Sequence, residues 1–141
     1  VYGQYLDIES ESKLIDKRSI ENIYSLKTGK LMECSVMFGQ IGNTNKKARE
    51  ILNSYGKKIG LAFQITDDIL EITSDRETLG KSTDSDIKNH KSTYASVVGI
   101  DNAIEKSKSL SENAIADIET LSSTKADMLI ELAKYIAYRD K

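Results

Sequence analysis

An all-α fold is what this sequence predicts, and three observations predict it. The 141 residues contain no proline, the residue whose fixed φ and missing N–H most strongly break helices. Ile, Leu, Ala, Lys and Glu are abundant and aromatic residues few. Apolar residues recur at threes and fours over long stretches, the spacing of one helix face, with no comparable run of strand-like alternation. The length suits one domain of ordinary size or a piece of a larger one.

The first seven or eight residues carry Gly3, Gln4 and Asp7 among apolar neighbours and look like the end of an element already under way. With Val1 in place of an initiator methionine, the expectation is that residue 1 is not where the gene product begins. After a polar connection over 16–19, Ser19 is placed to cap a helix running to about Gln40. Its apolar face holds Ile20, Ile23, Tyr24, Leu31, Cys34, Phe38 and Ile41. Gly42-Asn43-Thr44-Asn45 ends it, and a second long helix follows from about Lys46 to near Thr73 on Ala48, Leu52, Tyr55, Ile59, Ala62, Ile69 and Ile72.

Periodicity stops from Ser74 to about Lys91, where Gly80 and several Ser and Asp residues predict a polar loop with one helical turn. Beyond it the sequence predicts a short helix over 92–98 and one from Asp101 to about Leu121. Thr124 with Asp127 resembles a capping box for a last helix ending near Arg139. There is no internal repeat.

Twenty Lys and Arg against 22 Asp and Glu give a net charge of −2, so no global positive field points to nucleic acid. No apolar run approaches the roughly 20 residues that span a bilayer. The single Cys34 and single His90 offer neither an internal disulfide nor zinc-ligand spacing, and a cytoplasmic, reducing location is the expectation.

Chemistry concentrates on the second long helix. Gln64, Asp67, Asp68, Glu71 and Asp75 project into one arc of roughly 100°. Like charges four residues apart repel, and carboxylates near a helix C-terminus oppose the macrodipole. Such a stripe is either a solvated helix end or a site with a compensating cation. The flanking Ile65, Ile69, Leu70 and Ile72, with Phe63 before them, favour a helix buried on most sides whose acidic stripe lines a cavity. Oxygen ligands without His or Cys suit a hard ion such as Mg²⁺, which is commonly shared with substrate phosphates.

Lys27 falls on the apolar face of the first long helix, so its ammonium either snorkels to water or meets an anion, beside Thr28 and the small Gly29. Lys81, Lys88, His90 and Lys91 follow the acidic helix on a loop that could fold back over it. Carboxylates for Mg²⁺ and converging lysines describe a diphosphate site. Neither the organic group nor the reaction follows from these residues.

In order along the chain, the motifs resemble those of the trans-isoprenyl diphosphate synthases, the farnesyl and geranylgeranyl diphosphate synthase family. Gly3-Gln4-Tyr5-Leu6-Asp7 resembles its GQxxD element, Tyr24–Leu31 (YSLKTGKL) its YxxKT element, and Gly60–Glu71 (GLAFQITDDILE) its FQxxDD segment. Leu79-Gly80-Lys81, Ser85-Asp86 and Lys91-Ser92-Thr93-Tyr94 are similar to its LGK…D…KST run, and the ending YIAYRDK is similar to its C-terminus.

The resemblance implies an all-helical isoprenoid-synthase bundle that condenses isopentenyl diphosphate with an allylic diphosphate. By it, Asp67, Asp68 and Glu71 hold Mg²⁺, and Lys27, Lys81 and Lys91 contact diphosphate oxygens. Lys27, Thr28, Gln64 and Asp7 serve the reacting centre, and the full-length protein is a homodimer. Glu71 stands where the family most often has Asp, and Ala95 where Pro is frequent. The family's first aspartate-rich motif, DDxxD, precedes GQxxD and has no counterpart here. The resemblance therefore makes residues 1–141 the C-terminal part of one synthase domain, inactive by themselves. The competing expectation is a non-catalytic helical subunit that binds a complete synthase. Terpene cyclases rank third, because their second metal motif usually has an Asn/Ser/Glu character unlike Asp67-Asp68.

Overall fold

A computed structural model of the chain describes the backbone of residues 1–78, 92–121 and 126–139, and the side chains of all of these but 74–78. The helices are α1 (Tyr2–Glu9), α2 (Lys17–Tyr24), a π-helical turn (Ser25–Gly29), α3 (Lys30–Phe38), α4 (Lys46–Thr78), α5 (Tyr94–Val98), α6 (Ile100–Glu119) and α7 (Asp127–Tyr138). No strand occurs among the described residues, as the proline-free composition predicts.

The 33-residue α4 is the axis, with α3, α6, α7, α5, α2 and the π turn packed around it. Its first half shares a core with α6 and α7 through Leu52, Tyr55, Ile59, Ala62, Ala114, Ile118, Ala133 and Ile136. Its second half shares another with α2, α5 and α6 through Ile20, Ile23, Tyr24, Ile65, Tyr94 and Ala103. Tyr55 is fully buried, donates its hydroxyl to the Leu129 carbonyl at 2.7 Å, and burial pushes its phenol up to about 12. Thr66 and Ser107 pair their hydroxyls at 2.7 Å inside the α4–α6 contact, which satisfies two otherwise costly buried groups.

Several boundaries differ from the sequence reading, each for a physical reason. The cap of α2 is Asp16, whose carboxylate accepts from the Ser19 N–H at 2.8 Å; a carboxylate three residues earlier takes the capping role assigned to Ser19. α4 continues through Thr78, past the point where apolar periodicity stops. α6 starts at Ile100, after Gly99 at φ +87, with Asp101 inside its first turn and not at its cap. α7 begins after Ala126, without a side-chain cap; Thr124 lies outside the described residues.

The largest difference is within the first long helix. Ile20, Ile23 and Tyr24 are buried as the face predicts, whereas Leu31 (70 % exposed), Phe38 (66 %) and Ile41 (79 %) are not, and Cys34 is exposed too. The π turn at Ser25–Gly29 is the reason: a π bulge takes one extra residue into the turn and rotates everything after it. The face that meets α4 becomes Gly29, Met32, Glu33 and Val36.

Glycines permit the closeness of this contact and of the one between α1 and the π turn. A Cβ on Gly60 would lie 2.6 Å from the Gly29 Cα, and one on Gly3 would lie 2.2 Å from the Lys27 backbone nitrogen. Gly60→Ala is therefore expected to lower unfolding stability by about 1–3 kcal/mol, the usual cost of overpacking against backbone. Urea denaturation measures it, and an unchanged midpoint would show that α3 can give way.

Candidate active site

The π turn presents Lys27 and Thr28 on adjacent positions facing two different elements. Lys27 Nζ donates to Asp7 Oδ2 of α1 at 2.8 Å. The side chains are 29 % and 12 % exposed, so the ammonium on the apolar face has found the anion that burial demands. Thr28 Oγ1 donates to Gln64 Oε1 of α4 at 2.9 Å, and Gln64 Nε2 points on to Asp67 Oδ2 at 3.4 Å. A polar line thus runs from α1 through the π turn to α4. Extra width in the π turn makes this possible, because a regular helix would set Lys27 and Thr28 at other angles to α1 and α4.

The two adjacent aspartates are used differently. Asp68 accepts from the Tyr24 hydroxyl and from the Tyr94 N–H at 3.2 Å, tying the start of α5 to α2 and α4. Burial, with the Asp68 carboxylate beside it, holds the Tyr24 phenol far above its ordinary range, so it remains a donor at any physiological pH. Asp67 is 40 % exposed and accepts from the Arg139 guanidinium, which is 12 % exposed and lies 4.5 Å over the Phe63 ring. Glu71 is exposed, one turn further along α4.

Asp7, Lys27, Thr28, Gln64 and Asp67 are therefore brought together, while Asp68 turns to Tyr24 and Tyr94. Among the described residues no three carboxylates gather at one point. Lys81 and Lys91, with Lys88 and His90, lie outside the described residues, as does the Asp75 side chain. Three participants were not singled out by the sequence. Tyr24 reads as core, and the Tyr94 contribution is a backbone N–H. Arg139 has one signal, a cation at the end of an apolar helix with no acidic residue one turn before it.

Comparison with known proteins places this arrangement. Residues 1–132 match the polyprenyl synthetase family model, and the chain belongs to that family. It is 36 % identical over 143 residues to the farnesyl diphosphate synthase of Escherichia coli, covering 99 % of this chain and 48 % of that one. It is 40 % identical to a chloroplastic geranylgeranyl pyrophosphate synthase of Capsicum annuum, covering 99 % and 38 %. The crystal structure of a Helicobacter pylori geranyltransferase complexed with magnesium and isoprenyl diphosphate superposes with a TM-score of 0.73 at 27 % identity, covering 96 % of this chain and 44 % of that one. The chain thus spans less than half the length of these relatives. No helix among the described residues is long and apolar enough to cross a membrane.

Proposed function

We propose that the protein carrying this chain is a short-chain isoprenyl diphosphate synthase of the farnesyl/geranylgeranyl type, and that residues 1–141 are the C-terminal part of its one domain. The observation that carries this is the polar line Asp7–Lys27 and Thr28–Gln64–Asp67, which joins α1, the π turn and α4. Three bare apolar faces support the second clause: Tyr2, Tyr5 and Ile8 on α1, Leu31 and Phe38 on α3, and Met128, Leu132 and Tyr135 on α7 are all exposed. Contiguous apolar faces of this kind mark contacts still to be made, here with the rest of the domain and with a second subunit of a homodimer. A cytoplasmic location accords with the lone exposed cysteine.

The donor set fits a divalent cation. Asp67 is accessible, offers oxygen ligands without competing nitrogen or sulfur, and already attracts a cation in Arg139. Glu71, one turn on, is the nearest further carboxylate on the same face; Asp68, the third ligand expected from sequence, has its Oδ2 engaged by the Tyr24 hydroxyl and the Tyr94 N–H. Bound there, Mg²⁺ would neutralise diphosphate oxygens on the allylic substrate.

Lys27 sits where its ammonium can turn from Asp7 to a diphosphate oxygen, joined by Lys81 and Lys91 from the segment after α4. The allylic C–O bond breaks, with its electron pair leaving on diphosphate. The double bond of isopentenyl diphosphate attacks the cation, and loss of a proton yields a longer allylic diphosphate. The Thr28 hydroxyl, the Gln64 amide and the Asp7 carboxylate would line the region of the cation, where preorganised dipoles and charge stabilise it most effectively in a water-excluded site.

The test is condensation of radiolabelled isopentenyl diphosphate with an allylic primer by the full natural protein. Product that depends on Mg²⁺ and disappears with chelator is expected, with none from residues 1–141 alone. A full protein that makes no product but binds a complete synthase and alters its output would instead be the non-catalytic subunit.

A further inference from the structure

Arg139 is the strongest feature left without a role. It is the first residue after α7, with extended backbone (φ −65, ψ 142), and its N–H donates to the Tyr135 carbonyl at 2.9 Å. From there its side chain crosses to α4, stacks on Phe63 and pairs with Asp67 Oδ1, while its Nε is buried without a hydrogen-bond partner. Asp67 Oδ2 faces the Gln64 amide, so both carboxylate oxygens are engaged. A divalent cation bound to Asp67 must take one of those oxygens at about 2.0–2.1 Å, and a guanidinium already in contact with that carboxylate repels it.

Because α4 runs on through Thr78, Asp67 lies outside its last turn and the macrodipole term falls away; the remaining like-charge repulsion along the acidic stripe is relieved at Asp67 from within the chain by one cation. That cation is poorly anchored in two respects. Its position past the last turn of α7 lets it leave without unwinding the helix, at the cost of its stacking on Phe63 and its pair with Asp67, and its unpartnered Nε gains water as a partner on exposure.

We propose that Arg139 is an internal counter-cation for Asp67, a positioning residue that holds the carboxylate while no metal is bound and is displaced when a divalent cation arrives, freeing the C-terminal end of α7. This rests on the reading of Asp67 as a metal ligand, and it makes metal affinity a property set in part by the C-terminal end of α7.

The test uses the full natural protein without substrate and Mn²⁺ as a spin-active probe, titrated by electron paramagnetic resonance into wild type, Arg139→Gln and Asp67→Asn. Arg139→Gln is expected to bind Mn²⁺ about twofold to fivefold more tightly, the scale of a partly exposed ion pair that the metal no longer has to break. Because that variant could loosen α7, a second measurement uses wild type alone: Mg²⁺ should accelerate amide hydrogen exchange over residues 136–139. Equal or weaker Mn²⁺ binding by Arg139→Gln, or exchange unchanged by Mg²⁺, overturns the role of Arg139 while Asp67→Asn still weakens binding. If Asp67→Asn binds Mn²⁺ as wild type does, the assignment of Asp67 itself fails, and the counter-cation with it.

Discussion

Replacing Asp67 by Asn in the full natural protein is expected to lower kcat by about a hundred- to a thousandfold, the scale set by removing one charge-stabilising group from a preorganised site. The substitution keeps the shape and one acceptor oxygen of a side chain that is 40 % exposed, so the loss of stability should stay within the roughly 1 kcal/mol of its ion pair with Arg139. Its neighbour separates the two kinds of importance. Asp68 accepts from Tyr24 and from the Tyr94 N–H, and Asp68→Ala takes away the acceptor that joins α2, α4 and α5, at a cost of about 1–3 kcal/mol in unfolding stability. Steady-state kinetics beside denaturant titration of both variants checks the division. Turnover unchanged in Asp67→Asn would remove the metal assignment, whereas equal loss of stability in both variants would mean that the pair acts only as a structural anchor.

How far the site could be read from the sequence depends on what each residue signals locally. The fold class, the long α4 and its core face follow from absent proline and from Leu52, Tyr55, Ile59 and Ala62, because a helix face is a local property of spacing. Lys27 and Asp67 stand out for the same reason: each is a charge placed where its own helix pattern argues against it. The π turn leaves no such mark. Ser25-Leu26-Lys27-Thr28-Gly29 fits a regular helix equally well, and the close approach of Gly3 and Gly60 to this turn is a tertiary feature that local spacing does not carry. The positions after it are rotated relative to Ile20, Ile23 and Tyr24, so Leu31, Cys34 and Phe38, which read as one face with those three, point away from α4 and stand exposed in this chain. Partners distant in sequence are likewise invisible to spacing: Asp7 lies 20 residues from Lys27, and Arg139 lies 72 from Asp67. The family resemblance supplied the first of these as a motif, but the second depends on where the end of α7 meets α4.

The ammonium of Lys27 gives the sharpest test of whether this polar line is chemical or merely structural. Lys27→Gln is expected to reduce kcat about a hundredfold, since a neutral amide cannot offset charge developing on a departing diphosphate. Asp7→Asn should cost less, because the ammonium remains and only its resting partner is changed. The two residues share one hydrogen bond, with Asp7 12 % exposed, so their effects should not add. The double variant should be no slower than Lys27→Gln alone, giving a coupling energy of about 1–2 kcal/mol in the cycle, the cost of Asp7→Asn itself. If the pair were only a clamp between α1 and the π turn, both single variants would lose similar stability through an unpaired, mostly buried charge, with kcat intact in whatever fraction stays folded. Rates normalised to folded protein therefore decide between the two roles: a hundredfold deficit that persists after normalisation belongs to the reaction, and one that vanishes belongs to the fold.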